Sequence, residues 1–242
     1  MDHEVSFASV AAAGDDYVKE ALMPLSFSQL ERLRKFSGVV LEEKYDRNHR
    51  GDKYGNLPRH FSRRQIVDFF SAITNDCLRV EFLVLLVFGL RVSELDDLVW
   101  LRQQGLLRVN NVKCRRFECI PVPECAESVL RRFFSQQRHS TKKLRYYFRK
   151  VCVSAGDEFT FVYGQSTHEQ PRDLYQFTTH SLRHSAGNLL LRSTDNPYKV
   201  AVYLRHKPSS KFGVTATYMH YSLDEMRDDL EKTFENLIDD LS

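Results

Sequence analysis

Three short segments hold most of the side chains that could do chemistry. Residues 89–95 read GLRVSEL and put Arg91 behind a long apolar run; residues 180–184 read HSLRH; residues 203–207 read YLRHK, followed at 215–221 by TATYMHY. Guanidiniums grip phosphate oxygens with planar, two-pronged donors, a phenol can act as an oxygen nucleophile, and imidazoles or ammoniums can move protons. Such a set suits chemistry at a phosphate ester, which needs an attacking oxygen, charge stabilisation on the non-bridging oxygens and a proton for the departing oxygen. Considered singly, each residue has a plainer reading: Arg91 as a snorkelling surface residue, His206 as a surface histidine, Tyr218 as a half-buried aromatic. His180 and His184 also have the i, i+4 spacing of metal ligands. Ser181 stands where the zinc-protease pattern needs Glu, so no metal site is expected.

The elements that must position these residues follow from pattern and composition. With 242 residues, 42% of them hydrophobic, the chain has enough apolar material for a packed core, which excludes disorder as the main reading. The net charge of only +3 hides an uneven distribution, because residues 222–242 carry eight acidic side chains against Arg227 and Lys232 and leave the remainder basic. Cys77, Cys114, Cys119, Cys125 and Cys152 form no C-x-x-C pair and are odd in number, which argues against a zinc ribbon or a secreted disulfide framework. The apolar run at 82–90 is far shorter than the roughly 20 residues of a membrane span and reads as a buried helix. Asp2 and Glu4 give no secretory signal, so a cytoplasmic setting is expected, with no membrane partner.

Capping boxes at Ser26/Gln29, Ser62/Gln65 and Ser222/Glu225 predict three helix starts. Between the first two, residues 44–64 form a basic, turn-rich linker. Helical spacing runs from Cys77 to Trp100 with a break at Gly89, then again over 124–136 and over 140–154 up to Gly156. Residues 107–122 change to a hairpin pattern closed by Pro121 and Pro123. The expected architecture is mainly α with a small antiparallel β-sheet, an α+β fold. On the 140–154 helix, Lys142, Lys143, Arg145, Arg149 and Lys150 interleave with Tyr146, Tyr147 and Phe148. They form either a phosphate-contacting face or a solvated one. The terminal stripe of Leu223, Met226, Leu230, Phe234, Leu237 and Leu241 needs a protein surface to cover it, in this subunit or a neighbouring one.

Taken together, the three segments resemble the tyrosine recombinase, or phage integrase, family over roughly residues 62–222. The matching patterns are G-L-R-x-S-E-L, H-x-L-R-H, and L-G-H followed by T-x-x-Y-x-H. The resemblance implies the family's catalytic fold, double-stranded DNA as substrate and no metal or other cofactor. Residue by residue, it implies Tyr218 as the nucleophile that forms a 3′-phosphotyrosine and Arg91 with Arg183 as the phosphate clamp. Lys113 becomes the acid for the leaving hydroxyl, His180 assists proton transfer, and His206 donates a hydrogen bond to the phosphate. Counting back from Pro121 selects Lys113; counting forward leaves Arg115 and Arg116 as competitors. Tyr203 and Tyr221 are rival nucleophiles that do not fit T-x-x-Y-x-H, and Glu94 takes an orienting role. Arg205 departs from the family by standing where a glycine is usual, and 207–214 must form a longer loop.

The activity so implied is site-specific recombination or integration of a viral or plasmid element. Its rivals are type IB topoisomerase-like relaxation, against which His180 argues because that family typically has lysine there, and a DNA-binding homologue without catalysis. The expected organisation is a short helical arm and linker at 1–61, a catalytic domain at 62–221 and an acidic amphipathic helix at 222–242. That helix is expected to dock on another protomer, linking a dimer or tetramer on nucleoid DNA with DNA-bending accessory proteins as possible partners.

Overall fold

The apolar run at 82–90 is buried in the structure, a computed structural model that describes residues 24–26, 28–30, 32, 59–111, 116–165, 172–206 and 221–241. The chain divides into two units, Met1–Asn56 and Leu57–Ser242. In the first, Ser26 and Gln29 cap each other as their spacing requires, the Ser26 N–H donating to Oε1 of Gln29 at 2.8 Å. The elements below all belong to the second.

Helix α1 spans Arg63–Ser71 and starts at the Ser62/Gln65 capping box. Helix α2, Asp76–Val87, is buried on every side from Val80 onward, so its sequence carries no amphipathic stripe. Its Phe82 joins a cluster with Phe61, Phe69, Phe148, Phe159 and Phe177, with ring centroids 4.7–6.4 Å apart in mostly tilted or edge-on pairs, the arrangement that the ring quadrupole favours. Helix α3, Glu127–Ser135, packs on α2, and α4, Thr141–Ala155, packs on α1.

Sequence reading carries the helical pattern through Trp100, and here the structure differs. Residues 99–101 form strand β1 (Val99–Leu101), which pairs antiparallel with β2 (Leu106–Asn111) through a turn closed by Gly105. The hairpin of 107–122 is present as β2 with β3 (Arg116–Pro121), giving a three-stranded sheet of order β1-β2-β3. A second antiparallel pair, β4 (Val162–Gln165) with β5 (Asp173–Tyr175), lies outside the one-sheet expectation. The class is nonetheless the expected one, helices with small antiparallel sheets.

Helix α5, Thr179–Thr194, and α6, Pro197–Tyr203, follow, and α7, Leu223–Leu241, ends the fold. The α7 stripe of Met226, Leu230, Phe234, Leu237, Ile238 and Leu241 is buried against α5, α1, β3 and the turn before α3 of the same chain. Of the two covers open to it, the structure shows this subunit. The stripe is amphipathic enough to demand burial, but spacing alone does not say whose surface supplies it.

Two anchors fix α4 relative to the rest. Glu81 is buried within α2 and accepts from the His139 backbone N–H and from its Nδ1, both at 2.6 Å, while Arg138 donates from Nη1 to the Leu95 carbonyl at 2.9 Å. A carboxylate buried without such partners would cost several kcal/mol, about 3–5 when one partner of a pair is lost. These contacts set the basic start of α4 beside the segment that carries Arg91.

Candidate active site

The site is built from the sharp turn after α2. Gly89 takes φ +53°, a left-handed conformation that favours glycine, and a Cβ there would lie 2.9 Å from Leu204 Cδ2 and 3.0 Å from the Tyr203 hydroxyl. The turn leaves the Gly89 carbonyl without a helical partner, and two cations take it. Arg183, on the second turn of α5, donates to it from Nη1 at 2.5 Å, and Arg205 donates from Nη2 at 3.0 Å. A backbone oxygen thereby joins chain segments about a hundred residues apart.

Glu94, 1% exposed, is the second meeting point. Its carboxylate accepts from the Arg91 backbone N–H and Nη1, each at 2.7 Å, and from Arg205 Nη2 at 3.0 Å, with Arg183 Nη1 at 3.8 Å. Desolvation alone would raise the Glu94 pKa; Arg205, the two Arg91 bonds and Arg183 overcome it and hold the carboxyl below its ordinary value. Three guanidiniums thus share one carboxylate, which leaves the cluster with excess positive charge. The orienting role expected of Glu94 matches this geometry.

Arg91 keeps about a quarter of its side chain exposed and can reach a ligand. Arg183 is different: it is 1% exposed, and its second terminal nitrogen donates to the Leu204 carbonyl. Burial, then Arg205 and Arg91, lower its pKa to about 9, with Glu94 opposing, so it stays a cation at neutral pH. His180, one residue into α5 behind the Thr178 cap, is exposed at its edge and stacks edge-on against His184 at 4.6 Å between centroids. Loss of water around the ring, then His184, Arg183 and Arg91, push its pKa down to about 4. A neutral His180 can accept or relay a proton near pH 7. His206 is exposed just beyond α6, and its backbone N–H donates to the Ala201 carbonyl at 2.9 Å.

Arg91, His180 and Arg183 are therefore gathered in one place, and the chain direction brings His206 next to Arg205. Lys113 and Tyr218 lie outside the described residues. Both rival tyrosines are described, and neither is free to attack. Tyr203 is buried and donates its hydroxyl to the Val87 carbonyl at 2.7 Å; Tyr221 donates to Asp229 Oδ2 at 3.0 Å. Desolvation pushes both phenol pKa values upward, with Asp229 adding to it at Tyr221. Among the described residues, no group of three or more His, Cys, Asp or Glu side chains is placed to hold a metal ion.

The five basic residues of α4 separate into two faces. Arg145 and Arg149 line a cavity of about 390 Å³ with Tyr175, Thr178 and Thr179, directly against the start of α5. Lys142 shares that face by helical spacing. Arg149 is largely structural there, since Nη2 donates to the Phe159 carbonyl at 2.8 Å and the guanidinium lies 3.9 Å over the Tyr175 ring. Lys150 instead lines a separate cavity of about 260 Å³ with Tyr147 and Asn75, and Lys143 follows on that side by its seven-residue spacing. Arg205 is the residue that sequence reading undervalued: it registers there as a departure from a pattern, and only the fold reveals its four oxygen partners. Its one sequence signal is an arginine at a position suited to a turn.

Comparison with known proteins gives a consistent picture. The model of the phage integrase family matches residues 59–224. The fold is similar to that of the integrase from mycobacterium phage Brujita, with a TM-score of 0.50 and 15% sequence identity, over 78% of this chain and 64% of that one. The chain thus spans less than two thirds of that integrase's length. No curated protein matches it.

Proposed function

Because the chain belongs to the phage integrase family, whose model spans most of its length, we propose that it cleaves and rejoins duplex DNA through a covalent 3′-phosphotyrosine, as a site-specific recombinase or integrase. The observation that carries this reading is the convergence of Arg91 and Arg183 on Glu94 beside a neutral His180. A phosphodiester oxygen placed at Arg91 would meet a planar donor pair and the field of two further guanidiniums, the preorganised charge that stabilises a phosphoryl transition state. Tyr218 attacks the phosphorus, its proton passes toward His180, and Lys113 protonates the departing 5′-oxygen. His206 donates to a non-bridging oxygen. The phosphotyrosine conserves the energy of the broken linkage, so a 5′-hydroxyl of another strand can reverse the step and complete an exchange without a cofactor.

The substrate in this reading is double-stranded DNA, contacted also by the Lys142 and Arg145 face of α4. Self-association into a dimer or tetramer would use surfaces other than the α7 stripe. The deciding experiment incubates the protein and a Tyr218→Phe variant with a labelled pool of nicked duplexes and denatures in SDS. The expected result is an adduct with the parent chain alone; an equal adduct with the variant would remove Tyr218 as nucleophile.

A second reading is favoured by one observation. Both terminal nitrogens of Arg183 are held by backbone carbonyls, which suits a DNA-binding homologue that has stopped cleaving. Salt-sensitive DNA retention with no adduct in the same experiment would select it.

A further inference from the structure

We infer that Arg205 is a positioning residue of this site, holding Glu94 and the Gly89 carbonyl so that Arg91 and Arg183 are presented together. The inference rests on the proposed DNA cleavage for its consequence but on geometry for its content. Arg205 has φ +55°, in the left-handed region where a non-glycine residue is strained. Such a conformation persists where surrounding contacts over-determine it, and here the side chain supplies them. Its Nη1 donates to the Tyr203 carbonyl at 3.0 Å and the Phe88 carbonyl at 3.3 Å; its Nη2 donates to the Gly89 carbonyl and to Glu94 Oε2, each at 3.0 Å.

These four oxygens come from the end of α2, the turn after it, the Glu94 turn and the end of α6. One planar fork thus fastens the end of α6 to the segment that carries Arg91, and it meets Arg183 of α5 through the Gly89 carbonyl that both arginines share. With a side chain only 4% exposed, Arg205 does not itself reach a ligand. Its effect passes through two shared acceptors. Gly89 O holds Arg183 as well, and Glu94 holds Arg91 from the opposite oxygen. Without Arg205, Glu94 would be held by Arg91 alone, so its carboxylate could shift toward Arg183, now 3.8 Å away, and the Arg91 side chain would lose a fixed counterpart. A lysine could keep the charge but not serve oxygens in one plane with a single ammonium.

The test compares the parent chain with Arg205→Gly, which relieves the backbone strain, and Arg205→Lys, which keeps charge and strain but loses the fork. Three quantities are read: duplex Kd, the single-turnover rate of SDS-resistant adduct at saturating DNA, and the ¹⁵N NMR signals of the Arg91 and Arg183 side chains. The expected result for Arg205→Gly is a Kd within about twofold, an adduct rate lowered about tenfold or more, and averaged guanidinium signals. Arg205→Lys should fall between and keeps the test open if the glycine variant does not fold. Unchanged rates and signals in both folded variants would overturn the inference. So would a weakened Kd with an unchanged rate at saturation, which would make Arg205 a DNA contact. Should the parent chain bind DNA yet form no adduct, the catalytic reading fails, and the guanidinium signals alone then decide for or against Arg205.

Discussion

Glu94 is the point where removal of one charge should do the most damage. Glu94→Gln leaves Arg91, Arg183 and Arg205 with no neutralising partner in a buried cluster, and breaking a buried ion pair from one side costs about 3–5 kcal/mol. We expect a urea unfolding midpoint lowered accordingly and adduct formation lost with it; an unchanged midpoint would contradict the cluster. The titration of these groups has a definite sign. The Glu94 pKa is depressed on folding, so its contribution is present above the ordinary carboxylate value and is lost as pH falls through the lower folded value. His180 is also depressed, from 6.5 to about 4, and His184 moves in the same direction. For a base this means that the unfolded chain takes up protons first, so stability declines as pH falls from about 6.5 toward about 4. His180→Asn should flatten that decline in a series of urea midpoints measured across this range. A decline as steep as the parent's would assign it to His184 and other groups.

At the scale of elements, the Gly89 turn is the narrowest constraint. Gly89→Ala meets both a left-handed φ and side chains at 2.9–3.0 Å, so a loss of about 1–3 kcal/mol is expected from overpacking, on top of the backbone strain. Chemical unfolding measures it, and a neutral result would mean that the turn relaxes. Phe234→Ala in α7, a fully buried ring, should cost about 3–5 kcal/mol in the same assay. Local chemistry made the helices readable: Ser62/Gln65 and Ser222/Glu225 close their boxes as spaced, and Gly156 ends α4. The short strands were not readable. Val99–Leu101 is too brief to show alternation and exists because it pairs with Leu106–Arg108. Its neighbour pattern is that of a helix, and only the tertiary partner decides. The site divides in the same way. Arg91, His180 and Arg183 announce themselves by motif, whereas Arg205 depends on carbonyl oxygens, which no side-chain pattern encodes.

At the scale of the whole molecule, charge is sorted by face. The acidic outer side of α7 and the basic face of α4 belong to one unit, and the α4 face that borders α5 is the one next to the candidate site. Charge reversal at Lys142 and Arg145 should therefore weaken duplex binding and reduce its salt slope by about one per phosphate contact removed. The same change at Lys143 and Lys150, facing away, should do less; equal effects would place the DNA elsewhere. Removing residues 223–242 uncovers the core that Leu230, Phe234 and Leu237 complete, so the truncated chain should unfold at markedly lower urea rather than lose only cooperativity on paired sites.

The Gly89 carbonyl has a consequence for how this protein would respond to genetic dissection. Two site arginines are tethered to an atom that every amino acid possesses, so alanine scanning can shift the tether at Gly89 itself but cannot delete it. What else can disturb it is the pitch of the helix that delivers it. Substitutions deep inside α2, remote from any DNA, would then surface in a random screen as losses of activity, and as second-site suppressors of lesions at Arg183.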